Sequence, residues 1–94
     1  PIRSAYHRVM ATVRIGGQLR AMVGAADHQV SGDTVIDALR ALEVTYPQIA
    51  GWILDERGVL RRHLNVFVDG QPATGETAVK ASSRIHVLPS ITGG

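Results

Sequence analysis

The chain of 94 residues contains no cysteine, which removes disulfides, thiolate metal ligands, iron–sulfur clusters and any thiol nucleophile. Any reactive sulfur must come from outside it. Lysine is nearly absent as well. Of the 10 basic residues Lys80 is the only lysine, so a polymer linked through the chain's own side-chain amines has a single acceptor. Aromatics are scarce, with one Trp, one Phe and two Tyr. None interleaves with the only basic cluster, Arg61-Arg62-His63, and the formal charge is just +2, so no nucleic-acid partner is expected. No uncharged apolar run approaches the ~20 residues of a membrane span, and no signal-peptide pattern opens the chain. A cytoplasmic protein with no membrane partner is the expectation. His7, His28, His63 and His86 lie too far apart in sequence for a local metal motif and read as scattered surface residues, so no metal site is expected.

What remains is ordinary. At 45% hydrophobic and 19% charged, the composition suits one small domain with a two-layer core, too short for a conventional enzyme pocket plus cofactor site. Residues 1–9 show no clean period and read as an extension or expression-vector remnant before a native start at Met10, with an extra strand as the alternative. The domain proper is expected over residues 10–88, followed by a flexible tail at 89–94.

Within that span Thr12-Val13-Arg14-Ile15 alternates polar and apolar, the period-two mark of a half-buried strand with Val13 and Ile15 inward. Gly16-Gly17 breaks it. Leu19 to Val23 is apolar enough to pack over a sheet end, and Ala26, His28 and Val30 resume a period of two, suggesting a hairpin with a long connection. Thr34 then offers a helix cap with Asp37 three residues on, and Val35, Ala38, Leu39, Leu42 and Tyr46 follow at helical spacing until Pro47 stops the helix. Ile49, Trp52 and Ile53 read as a short turn docking back onto the core, and Asp55 to Gly58 as a turn. His63 to Val68 is a second clear strand with Leu64, Val66 and Val68 inward, ended by Asp69-Gly70. Arg84 to Leu88 is the last, with Ile85 and Val87 inward and Pro89 as its stop.

Strand, strand, helix, strand, strand describes an α+β roll in which one main helix covers a mixed sheet whose central pair is the first and last strands. This is the β-grasp, or ubiquitin-like, arrangement. It places the tail at a sheet end. That tail closes on Gly93-Gly94, and two residues without Cβ can thread a narrow channel and offer a carboxylate from almost any backbone angle; a frayed end is the plain alternative.

From about Met10 to Gly94 the chain resembles the bacterial ubiquitin-like sulfur carriers: the molybdopterin synthase small subunit, the thiamine-pathway carrier and the carrier of thiocarboxylate-dependent cysteine synthesis. The matching stretches are Leu19 to Gly24, Gly32-Asp33-Thr34-Val35 leading into Ala38 to Leu42, Tyr46-Pro47, Leu60 to Gly70, and Val87-Leu88-Pro89 before Gly93-Gly94. Two departures stand out. Ala81-Ser82-Ser83 replaces an Asp-Gly-Asp-like turn, and Ser90-Ile91-Thr92 replaces the usual approach to the final glycines. The stretch from Trp52 to Arg62 resembles the cysteine-synthesis and molybdopterin-type carriers more than the shorter thiamine-pathway ones.

The resemblance implies a carrier rather than an enzyme, or the small subunit of a sulfur-transferring one such as molybdopterin synthase. A ubiquitin-activating-type adenylyltransferase would use ATP and magnesium to convert the Gly94 carboxylate, presented by Thr92 and Gly93, to an acyl-adenylate. A sulfur donor protein would then leave a thiocarboxylate for a sulfur-accepting synthase. Catalytic groups belong to the partners, and no bound cofactor is expected. Two other readings stay open: a protein modifier joined through Gly94 to lysines, and a non-covalent adaptor. Strand alternation also puts Arg14, Phe67, Arg84, His86 and Leu88 on the outward sheet face, where Phe67 beside Leu88 reads either as an aromatic anchor with a polar rim or as an ordinary surface aromatic.

Overall fold

Alternation along the first strand separates the two faces of the sheet. In the computed structural model, which describes residues 10–24 and 27–89, β1 (Met10–Ile15) buries Ala11, Val13 and Ile15 and exposes Met10 and Arg14. There follow α1 (Gly17–Val23), β2 (Asp27–Ser31), α2 (Val35–Thr45), a 3-10 turn at Pro47–Ile49, β3 (Leu64–Val68), β4 (Gln71–Ala73) and β5 (Arg84–Pro89). The expected extension at residues 1–9, Ala26 and the tail beyond Pro89 fall outside the described residues.

The strands form one five-stranded sheet in the order β2-β1-β5-β3-β4. As expected, the first and last strands lie side by side and parallel at its centre, while every other neighbouring pair is antiparallel. Helix α2 crosses the inner face, burying Val35, Ala38, Leu39 and Leu42 against Val13, Ile15, Val66, Ile85 and Val87 in one continuous core. Tyr46, the end of the expected stripe, caps the helix half-buried. The start of α2 is fully accounted for. Thr34 Oγ1 accepts from the Asp37 N–H at 3.2 Å, and the amides of Val35 and Ile36 donate to the carbonyls of Thr77 and Gly75 at 3.0 and 2.9 Å, so its orphan donors are satisfied.

Five expectations need correction. His28, read as a surface residue, is buried in β2 with 8% of its surface exposed, its Nδ1 lying 3.2 Å from the Tyr46 hydroxyl. The connection between β1 and β2 contains a second, short helix, α1, which buries only Leu19 and ends at Gly24 in the left-handed conformation with φ 81°. A fifth strand, β4, follows the Asp69-Gly70 turn, whose φ values of 51° and 84° suit the tight hairpin turns that favour Asp-Gly; Pro72 is tolerated because β4 is an edge strand. Pro89 is the last residue of β5, opposite Leu64, so the sheet extends one residue past the expected boundary at 88. Finally, Ile49 and Ile53 dock onto the core with no exposed surface, but Trp52 stands 43% exposed.

Between these elements the 51–54 segment is pinned by one carboxylate: Glu43 Oε2 accepts from the amides of Gly51, Ile53 and Leu54 at 3.2, 3.1 and 3.1 Å. The departure at Ala81-Ser82-Ser83 is structural. Ser82 takes φ 73°, a conformation glycine adopts without strain, and the turn is secured by Ser83 Oγ accepting from the Lys80 amide at 3.0 Å.

Candidate functional site

Because the side chains alternate, the register of the sheet dictates which residues meet on its outward face. One row runs across all five strands: Asp27 opposite Arg14, Arg14 opposite His86, His86 opposite Phe67, and Phe67 opposite Pro72. A second row pairs Gln29 with Thr12 and Thr12 with Arg84. Arg84 is held at the next turn by reciprocal bonds, its amide donating to Asp69 Oδ1 at 2.9 Å and its carbonyl accepting from the Asp69 amide at 2.8 Å. A third row carries Leu88 opposite Asn65.

Four of the five expected face residues, Arg14, Phe67, Arg84 and His86, line one concavity of about 300 Å³, together with Asp27 and Asp69. Leu88 does not join it. It shares the face but lies one row nearer the exit of β5, so the direct neighbour of Phe67 is His86. Phe67 itself is half-buried rather than exposed. Around this centre the charges are mixed. Arg14 Nε lies 3.6 Å from Asp27 Oδ1 with both side chains more than half exposed, a pairing worth well under about 1 kcal/mol. Arg84 has no ion pair among the described residues. Asp27 and Asp69 were not anticipated from the sequence, because their part depends on which strand lies beside which.

The exit of the last strand has its own geometry. A Cβ on Gly16 would sit 2.9 Å from Leu88 Cδ2, and one on Gly17, at φ 62°, would sit 3.1 Å from Pro89 Cγ. The glycine pair therefore lets α1 begin hard against the end of β5. Sequence spacing marked Gly16-Gly17 only as a strand break. Thr92, Gly93 and Gly94 lie outside the described residues.

Chemically, this arrangement is suited to recognition. An aromatic flanked by polar and charged neighbours on an open sheet offers an anchor and a rim. No group of three His, Asp or Glu side chains converges as a metal site among the described residues, and no helix among them is long and apolar enough to cross a membrane.

Known proteins share both the sequence and the architecture. Residues 13–94 match the ThiS family. The small archaeal modifier protein 1 of Haloferax volcanii is 35% identical over 66 residues, which cover 69% of this chain and 76% of that protein. Among solved structures, the small archaeal modifier protein 1 of Methanosarcina acetivorans superposes with a TM-score of 0.82 at 30% identity, covering 94% of this chain and 99% of its own. The Amycolatopsis orientalis BexX/CysO complex contains a chain that superposes with a TM-score of 0.77 at 27% identity, covering 89% of this chain and 99% of that one. With a β-grasp sheet, a covering helix and a match from Val13 to Gly94, the chain belongs to the ThiS family, the ubiquitin-like sulfur carriers that its sequence resembles.

Proposed function

We propose that the chain carries sulfur at the carboxyl group of Gly94. A partner adenylyltransferase, with ATP and magnesium, joins that carboxylate to AMP and releases pyrophosphate. A sulfur donor then displaces AMP to leave a thiocarboxylate, which a synthase consumes in making a cofactor, cysteine or another sulfur metabolite. The observation that carries this reading is the family match running through Gly93-Gly94. The chemistry is coherent: a carboxylate is a poor electrophile until one oxygen becomes a good leaving group, and a chain without cysteine has no thiol of its own to intercept the activated carbonyl. The domain acts as the handle by which partners recognise the reagent, and the row through Arg14, His86 and Phe67 is the face they grip. A structural relative held in the BexX/CysO complex supports a carrier that works in the grip of other proteins.

A second reading has its own support. The relatives named as small archaeal modifiers favour a protein modifier whose activated Gly94 forms an amide with target lysines. Intact mass of the chain purified from its native host separates the two: one oxygen replaced by sulfur is expected for the carrier. Branched peptides ending in Gly-Gly on other proteins, with no sulfur-containing form, would overturn the carrier in favour of the modifier.

A further inference from the structure

The basic cluster Arg61-Arg62-His63 and the exposed Trp52 have no part in the outward sheet face, yet the fold brings them together at the end of the domain where β5 stops. Leu64, which follows His63 directly, is paired with Pro89. Arg61 fastens itself to both neighbours of Trp52: its Nε donates to the Gly51 carbonyl and its amide to the Ile53 carbonyl at 2.9 Å. The same segment is held from behind by Glu43.

We propose that Trp52, Arg61 and Arg62 form a second docking surface, which receives a carboxylate-bearing, partly apolar segment of the protein that takes up the tail. The inference rests on the reading of Gly94 as the reacting end. Gly94 is five residues beyond Pro89, at most about 18 Å of extended chain, so a protein that engages the carboxyl group lies within reach of this surface. Charge favours an acidic occupant. Of the two acids on the preceding loop, Asp55 and Glu56, Asp55 is already taken by Arg57, with Nη2 to Oδ2 at 2.9 Å, whereas Arg62 has no hydrogen bond or ion pair among the described residues. Arg57, Arg61, Arg62 and His63, with Asp55 and Leu60 beside them, bound an open concavity of about 540 Å³, room for a side chain to insert between the arginines. Exposed Trp and a guanidinium fixed by a backbone carbonyl are the residue types that anchor protein interfaces. A nucleic acid fits less well, because Glu56 interrupts the basic surface that a continuous phosphate chain would have to track, whereas a single carboxylate needs only one guanidinium.

The test measures ATP–pyrophosphate exchange by the host's own adenylyltransferase as a function of carrier concentration. Arg62→Glu should raise the KM for the chain about tenfold at low salt, with the difference shrinking as salt rises. Trp52→Ala should raise it by a similar factor at all salt concentrations. Lys80→Glu applies the same charge change beside the opposite end of β5 and should leave the KM unaltered. Both Arg62 and Trp52 are exposed, so the variants are expected to melt with the parent. An Arg62→Glu KM equal to that of Lys80→Glu overturns this surface while leaving the carrier reading intact, and so does a loss of retention on host RNA with no change in KM. Absence of exchange by the unaltered chain overturns both.

Discussion

Phe67 illustrates how one residue's role depends on its neighbours. It is the chain's only phenylalanine, it faces away from α2, and it is paired with His86 and Pro72 rather than with core residues. Truncating a central interface aromatic commonly costs ~2 kcal/mol of binding, whereas a half-buried surface position costs the fold about 1 kcal/mol. Phe67→Ala is therefore predicted to weaken adenylyltransferase binding at least about tenfold, by titration calorimetry, with a small fall in melting temperature. A collapse of stability with binding intact would show that the ring serves the fold instead. At Asp55 the residue-scale effect is electrostatic. The Arg57 guanidinium, joined by the amide of Val59, lowers its pKa from 3.8 to about 2. A carboxylate whose pKa is depressed by folding lends stability above about pH 4 and loses it as pH falls through the folded value. The Val59 amide, which donates to Asp55 Oδ1 at 3.0 Å, should accordingly titrate by NMR with a midpoint near pH 2, and Asp55→Asn should abolish the step. A midpoint near the ordinary carboxylate value would contradict the clamp.

At the scale of elements, α2 was legible because three signals agree on it: a capping threonine, a stripe at helical spacing and a terminating proline. Its packing makes the prediction sharp. Leu39 has no exposed surface, and buried Leu→Ala changes cost about 2 to 5 kcal/mol, a large share of the roughly 5 to 10 kcal/mol available to a domain of this size. Arg40, next in sequence, points outward and only reaches Asp37 at 3.8 Å in an exposed pair. Leu39→Ala should melt far below Arg40→Ala, and coincident melting curves would refute the assigned face. The elements that sequence reading missed lacked such agreement. Helix α1 has seven residues and one buried side chain, too short for a period to show. Strand β4 has three residues with a proline in the middle, and it exists because the Asp69-Gly70 turn folds it back onto β3.

For the whole molecule, the carrier reading proposed above assigns recognition to the folded domain and the chemistry to Gly94. The core closes through β5 at Pro89, and Gly94 lies beyond it in sequence. Deleting Gly94 should leave the melting temperature within about 1 °C of the parent, since truncations beyond a packed core cost little, while eliminating pyrophosphate exchange. A deletion variant that is still adenylated would sink the carrier reading. Sequence by itself determined the inner faces of β1, β3 and β5, the helix that covers them, and the family to which the chain belongs. It could do so because periodicity and capping are local, readable within a dozen residues. Pairing between distant segments is not local. Only the tertiary structure decided that Asp27, Arg14, His86, Phe67 and Pro72 share one row, since that row requires five strands in register. Likewise, only the antiparallel pairing of β3 with β5 carries Arg61-Arg62-His63 to the point where β5 ends, through the contact of Leu64 with Pro89.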